Sequence, residues 1–217
     1  MPRVKAKTGQ EQIHGFNFQK LIRAQHGLDT TNNHNEAWDM EIGDRAYSIK
    51  MCGPGLPLSS LLAFYKIDRP FTMIVGWHTN YRIHTVAEFD ISLEQLNHIR
   101  GTVPLSVVEQ IYTDLNIKRW PEGTHLEARR WAQEQKRLLE NQYDVQLTWN
   151  PKVDSKRQRR WQCSLNATAV KRCFPTIEMN NPVYLGFDYS SISHMKHDQT
   201  VIDELQEQFL DEQKITA

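Results

Sequence analysis

The segment Glu36-Ala-Trp-Asp39-Met-Glu41-Ile-Gly-Asp-Arg-Ala-Tyr-Ser48-Ile-Lys50 holds the residues best placed to do chemistry. Gly43-Asp44 reads as a tight turn, so the flanking residues 37–42 and 46–52 are expected to form two short strands of a hairpin. Side chains alternate along a strand, which puts Asp39 and Glu41 on one face of the first strand and Ser48 and Lys50 on one face of the second. When the hairpin closes about its turn, both pairs fall on the same side. A lysine midway along an apolar run (Tyr47, Ile49, Met51) needs a carboxylate partner once it is buried. Carboxylates beside an ammonium suit phosphodiester hydrolysis. A carboxylate holds Mg²⁺, which polarises the phosphoryl oxygen and lowers the pKa of a bound water, while the ammonium orients the nucleophile or offsets developing charge. Magnesium keeps several waters and asks for one or two protein carboxylates, so a sparse site suffices. The plain alternative is a solvated hairpin whose charges face water.

A second constellation lies downstream. From Lys152 to Arg172 there are seven basic residues (Lys152, Lys156, Arg157, Arg159, Arg160, Lys171, Arg172) against the single Asp154. Lys and Arg neutralise phosphates, and Arg and Gln, here including Gln162, can read base edges with paired hydrogen bonds. Trp149 and Trp161 flank the run and either anchor it in a core or stack on a base. A solvated basic loop is the rival reading. The chain as a whole is neutral, with 26 basic and 26 acidic residues, and Asp198, Asp203, Glu204, Glu207, Asp211 and Glu212 make its end acidic. Such separation of sign gives a field with direction.

The elements that must position these residues follow from periodicity. Ile13, Phe16, Phe18, Leu21 and Ile22 predict a helix over about 10–26 with Gly27 as its stop. Residues 29–35 are a polar loop. The run CGPGLPL is expected to be a loop, with Ser59 or Ser60 capping a short helix to about Lys66. Residues 71–77 form a continuous apolar run of the length of a buried central strand, with 82–89 as its neighbour. Helices are expected over 92–99, 104–116 and 124–141, and strands over 145–149 and 160–165 flanking the basic turn. An amphipathic helix over 200–213 would turn Val201, Ile202, Leu205 and Phe209 inward. The fold class is therefore α/β (α+β), a central mixed β-sheet flanked by helices.

At 217 residues the chain reads as one domain, a core over about 8–100 with an accessory region over about 101–217. Its mean hydropathy is −0.62 and 39% of its residues are hydrophobic, ordinary for a globular chain. No apolar run approaches the roughly 20 residues of a membrane span, and the first residues lack the apolar stretch of a signal peptide, so a cytoplasmic location is expected. Cys52, Cys163 and Cys173 form no C-x-x-C pair and are expected as reduced thiols. His78, His84, His98 and His125 lack metal-ligand spacing, and no P-loop or nucleophile elbow is present.

The order of elements and the hairpin residues resemble the PD-(D/E)XK nuclease superfamily, and among its members small type II restriction endonucleases. Asp39 matches the family's first Asp, and Ser48-Ile49-Lys50 its D/E-x-K triplet. Trp38 stands for the nominal proline and Ser48 for the second acid. The resemblance spans roughly residues 8–90. It implies a Mg²⁺-dependent endonuclease that hydrolyses double-stranded DNA at a defined site, acting as a homodimer. Asp39 and Glu41 would bind the metal, with Ser48 and Lys50 completing the catalytic set. Glu36, Glu11 or Gln19 stand as further candidates for the missing acid, Glu11 and Gln19 at the helix position where the family often carries a glutamate. Lys152, Lys156, Arg157, Arg159, Arg160 and Gln162 would form a DNA-facing β-ribbon. The rivals are a repair or recombination nuclease of the same fold, such as a junction resolvase, and a sequence-specific DNA-binding protein without catalysis.

Overall fold

The computed structural model describes residues 10–28, 38–80, 82–116 and 118–191, together with Glu207. The side chains of residues 10–14, Glu36 and the expected helix over 200–213 lie outside the described residues, apart from Glu207, which is helical and exposed. Among the described residues the chain forms two compact units. One draws on the chain up to Pro54, on Pro70–Ile91 and on the chain from Thr176; the other on Gly55–Arg69 and Ser92–Pro175. This partition differs from a boundary near residue 100, because the chain passes between the units more than once.

The first unit is built on a mixed four-stranded sheet. Helix α1 (Gln10–Gln25) precedes the hairpin of β1 (Met40–Ile42) and β2 (Arg45–Cys52), and the hairpin of β4 (Phe71–Thr79) and β5 (Arg82–Ile91) completes the sheet in the order β1-β2-β4-β5. β2 and β4 run parallel, Ile49 beside Ile74, and the other pairs are antiparallel. The parallel step requires a connection too long for a hairpin. Residues 53–70 supply it, and Gly55–Arg69 of that stretch belong to the second unit.

α1 ends as its glycine predicts. Gly27 has φ 68°, its N–H donates to Ala24 O at 2.8 Å, and the N–H of Leu28 donates to Arg23 O at 2.9 Å. This pair of bonds satisfies the last carbonyls of the helix. Phe18, Leu21, Ile22 and Ala24 of α1 form one buried cluster with Met40, Tyr47, Ile49, Ile74, Ile83 and Val86. Gly76 lies on that face, where an added Cβ would come within 2.8 Å of the Phe18 ring. The sheet's other face carries Phe71, Met73, Val75 and Trp77, all buried, so β4 is buried on both sides as its unbroken apolar run requires. Strands β8 (Val183–Tyr184) and β9 (Phe187–Asp188) and a 3₁₀ turn (Tyr189–Ser191) close the unit. The Phe18 and Tyr189 rings meet edge to face at 5.5 Å, and Val86 N–H donates to Asn181 O at 2.8 Å.

The second unit pairs a three-stranded antiparallel sheet, β3 (Leu56–Ser60), β7 (Arg159–Leu165) and β6 (Thr148–Val153), with helices α2 (Leu61–Tyr65), α3 (Leu93–Arg100), α4 (Leu105–Asp114), α5 (His125–Gln142) and α6 (Ala167–Cys173). Ser60 caps α2 by accepting from Ala63 N–H at 3.3 Å. Ser92 and Gln95 form a reciprocal capping box at α3, satisfying two orphan donors at once. Strand β3 occupies residues read as loop. Its Pro57 is tolerated because β3 is an edge strand, and the register shifts between Pro57 and Ser59. β6 begins at Thr148 and runs through Pro151 to Val153, later than the expected 145–149; it too is an edge strand.

Candidate functional site

The first candidate site forms where β1 stops. Asp39 lies one residue before β1, and its N–H donates to Tyr47 O at 2.9 Å, continuing the ladder by one bond. Beyond it β2 has no strand partner on this side among the described residues, and Ile49 would be left with an unpaired N–H and carbonyl. Two side chains take them. The N–H of Ile49 donates to Asp39 Oδ2 at 2.6 Å, and Gln19 Nε2 of α1 donates to Ile49 O at 3.3 Å. Buried backbone groups must find such partners.

Lys50 and Ser48 reach the same carboxylate. Lys50 Nζ donates to Asp39 Oδ2 at 2.7 Å and Ser48 Oγ donates to it at 3.2 Å. Asp39 Oδ1 accepts from Gln19 Nε2 at 2.8 Å, and Arg23 Nη1 donates to the Asp39 carbonyl at 2.5 Å. The Asp39 and Lys50 side chains are 23% and 24% exposed, mostly out of water but still open to it. The pair is therefore a partly desolvated ion pair rather than a surface bridge. Residues 11 apart in sequence meet because Met40 stands opposite Tyr47, which brings Asp39 abreast of Ser48.

Glu41 is exposed and stands opposite Ala46. It therefore shares the Asp39, Ser48 and Lys50 face of the sheet but lies nearer the turn. Among the candidates for a helix-borne partner, Gln19 is the one the structure brings to Asp39; the side chain of Glu11 and Glu36 lie outside the described residues. Arg23 was not singled out from sequence, since one arginine on a helix carries no signal of its own. Cys52 follows on the same strand, and burial pushes its thiol up to about 12 despite nearby Lys50, so it is no thiolate nucleophile. All three cysteines are free. Among the described residues no three His, Cys, Asp or Glu side chains gather in metal-binding range.

The second candidate site is the hairpin of β6 and β7. Opposed residues share a face: Thr148 with Ser164, Asn150 with Gln162, Lys152 with Arg160. The other face is apolar. Trp149 and Trp161 are 1% and 0% exposed and meet edge to face at 6.1 Å, and Trp161 Nε1 donates to Ile111 O of α4 at 3.3 Å. Both tryptophans are thus core anchors and neither presents a ring for stacking. Asp154 is committed to the turn, its Oδ1 accepting from Gln158 N–H at 2.9 Å. Arg159 folds back onto the same turn, donating through Nη1 to Asp154 O at 2.8 Å and Gln158 O at 2.9 Å. Arg157, in the left-handed region at φ 68°, pairs with Glu122 at 2.8 Å. Lys152, Lys156 and Arg160 are exposed.

Among the described residues no helix is long and apolar enough to cross a membrane. No protein-family model, no curated protein and no solved structure matches this chain.

Proposed function

We propose that this chain is a Mg²⁺-dependent, site-specific endonuclease of double-stranded DNA, acting as type II restriction enzymes of the PD-(D/E)XK superfamily do. The observation that carries the reading is the 2.7 Å pair of Lys50 Nζ and Asp39 Oδ2 at a strand end, partly open to water. The arrangement around it supports the same reading: a helix, a hairpin bearing the carboxylate and the lysine on adjacent strands, and a further strand parallel to the lysine strand.

Magnesium needs few protein ligands, and the donor set fits that demand. Asp39 Oδ1 accepts from Gln19 alone among the described residues, and Glu41 shares its face of the sheet; these two residues would hold the ion. When bound, it supplies Lewis-acid polarisation of the phosphoryl group and activation of water. The chain's own residues do the rest. Lys50 places a positive charge where a phosphoryl oxygen or the attacking water would sit. Ser48 donates to Asp39 and orients it, filling the slot of the missing acid without contributing charge. A homodimer would present two such sites to the two strands of a palindrome.

The decisive experiment incubates the protein with phage or plasmid DNA and Mg²⁺, beside a Lys50→Ala variant and an EDTA control. Discrete bands that vanish with either control are the expected result. Uncut DNA across several substrates would overturn the nuclease reading. A second reading then takes its place, favoured by a specific observation: Asp39 Oδ2 already accepts from Ser48, Ile49 and Lys50, as a purely structural strand-end cap would. That reading is a DNA-binding protein without catalysis, and it keeps salt-sensitive DNA affinity.

A further inference from the structure

We propose that the polar face of the β6–β7 hairpin, centred on Lys152 opposite Arg160 with Gln162 beside them, reads duplex DNA in its major groove. The nuclease reading supplies only the expectation that DNA is the substrate; the surface is argued from its own register.

Like charges directly opposite each other on antiparallel strands are unfavourable, by up to about 1 kcal/mol. Lys152 and Arg160 are such a pair. Among the described residues neither has an ion pair or side-chain hydrogen bond, and the nearby acid, Asp154, is committed to the turn. Selection for stability alone would place an acid at one of the two positions. A counter-anion from outside the chain removes the cost. Lys156 at the turn, exposed and without an ion pair among the described residues, extends the same charge.

The neighbouring rung says what kind of anion. Asn150 donates through Nδ2 to Ser164 Oγ at 2.9 Å and to Thr148 O at 3.2 Å, which commits both of its N–H donors within the hairpin and leaves it out of the reading set. Gln162 makes no side-chain hydrogen bond among the described residues. A free amide and a guanidinium on one face match base edges: Gln162 can pair with adenine and Arg160 with guanine. An acidic peptide would engage the cations and leave the Gln162 amide without a matching partner.

Duplex DNA fits better than other nucleic acids. Single strands are held by exposed aromatic platforms, and on this hairpin Trp149 and Trp161 are turned into the core. The major groove of duplex RNA is too narrow for side chains to read. The DNA major groove is roughly 12 Å wide and admits a two-stranded ribbon. The outer part of the hairpin is such a ribbon, because β3 pairs with β7 no further out than Gln162. Arg159 and Arg157, engaged with the turn and with Glu122, are left out of the reading set.

The test measures binding in EDTA, where no cutting occurs, by fluorescence anisotropy with a random-sequence DNA duplex, followed by selection of bound sequences. For Lys152→Ala/Arg160→Ala, affinity should fall at least 10-fold, the log–log salt slope should become shallower by about 1, and guanine preference should relax in the selected consensus. The variant's Tm should hold or rise, because a repulsive pair is gone. Gln162→Ala should keep its affinity for random duplex but lose A·T preference from the selected consensus. Unchanged binding by the charge variant, or equal binding of wild type to single-stranded DNA or duplex RNA, would overturn the assignment. Cleavage separates the two proposals. Loss of cutting in Lys50→Ala with unaltered binding by the charge variant sinks this surface and spares the nuclease. Binding that depends on the face, without cutting by wild type, does the reverse.

Discussion

Asp39 holds two jobs that make opposite demands. As the cap of a strand end it accepts four donors, from Gln19, Ser48, Ile49 and Lys50; as a catalytic carboxylate it must release some of that capacity to a metal and substrate. Hydrogen bonds to a charged group contribute about 1.5–3 kcal/mol each when buried, and the 23% exposure of this side chain lowers that. Asp39→Ala leaves the Ile49 N–H unpaired and strands a half-buried ammonium, so a loss of roughly 2–4 kcal/mol is expected. Lys50→Ala leaves Asp39 with three donors that keep the carboxylate satisfied, so its cost should stay below that of Asp39→Ala, at roughly 1–2 kcal/mol. Urea denaturation of both variants measures the difference directly. Equal losses would mean that the ion pair, and not the backbone cap, dominates the site. The same asymmetry makes Lys50→Ala the sound variant for the cleavage test, since it removes the ammonium and keeps the fold.

Element placement governs whether Gln19 reaches that carboxylate. α1 docks by setting Phe18 over Gly76 of β4, with 2.8 Å between the ring and the position a Cβ would take. Gly76→Ala forces the ring, and the helix behind it, to shift; overpacking of this kind costs typically about 1–3 kcal/mol. Gln19 is the next residue on α1, so the variant should also lose DNA cleavage more steeply than its stability loss explains, with binding in EDTA intact. A variant as active as wild type would show that α1 positions nothing in the site. How much of this was legible follows from the kind of signal each element sends. The β1–β2 hairpin, α1 with its Gly27 stop and the buried β4 announce themselves through local periodicity and turn chemistry, and Asp39, Ser48 and Lys50 share a face by alternation alone. β3 was hidden because Gly53, Pro54, Gly55 and Pro57 read as loop, and only its edge position beside β7 makes Pro57 acceptable. The continuation of β6 past Trp149 to Val153 was hidden by Pro151 for the same reason. Which arginines of the basic run are free was beyond reach from sequence, since Arg159 is claimed by turn carbonyls and Arg157 by Glu122, 35 residues away.

At the scale of the whole molecule, the two units trade chain segments, and that makes a cut near residue 100 the wrong place to divide them. A fragment over 101–217 would lack Leu56, Leu58, Leu61, Phe64, Tyr65, Leu96 and Ile99, all buried and all belonging to the second unit. At about 1.5–3 kcal/mol for each buried side chain the deficit is roughly 10–20 kcal/mol, which exceeds the 5–15 kcal/mol by which domains are typically stable. It would also leave β7 without β3. That fragment should show no cooperative thermal transition. A better division follows the register. Phe71 and Ile91 are cross-strand partners, so the ends of the β4–β5 hairpin lie about 5 Å apart. A two-glycine link can replace residues 71–91. Residues 55–175 with that replacement keep the second unit's sheet, its five helices named above and its tryptophan pair, and should unfold in one cooperative step by circular dichroism. The same protein should bind duplex DNA and cut none, because the chain carrying Asp39 and Lys50 is gone. A cooperative melt of 101–217, or a 55–175 protein that never folds, would show that stability is not divided along the units the chain traces.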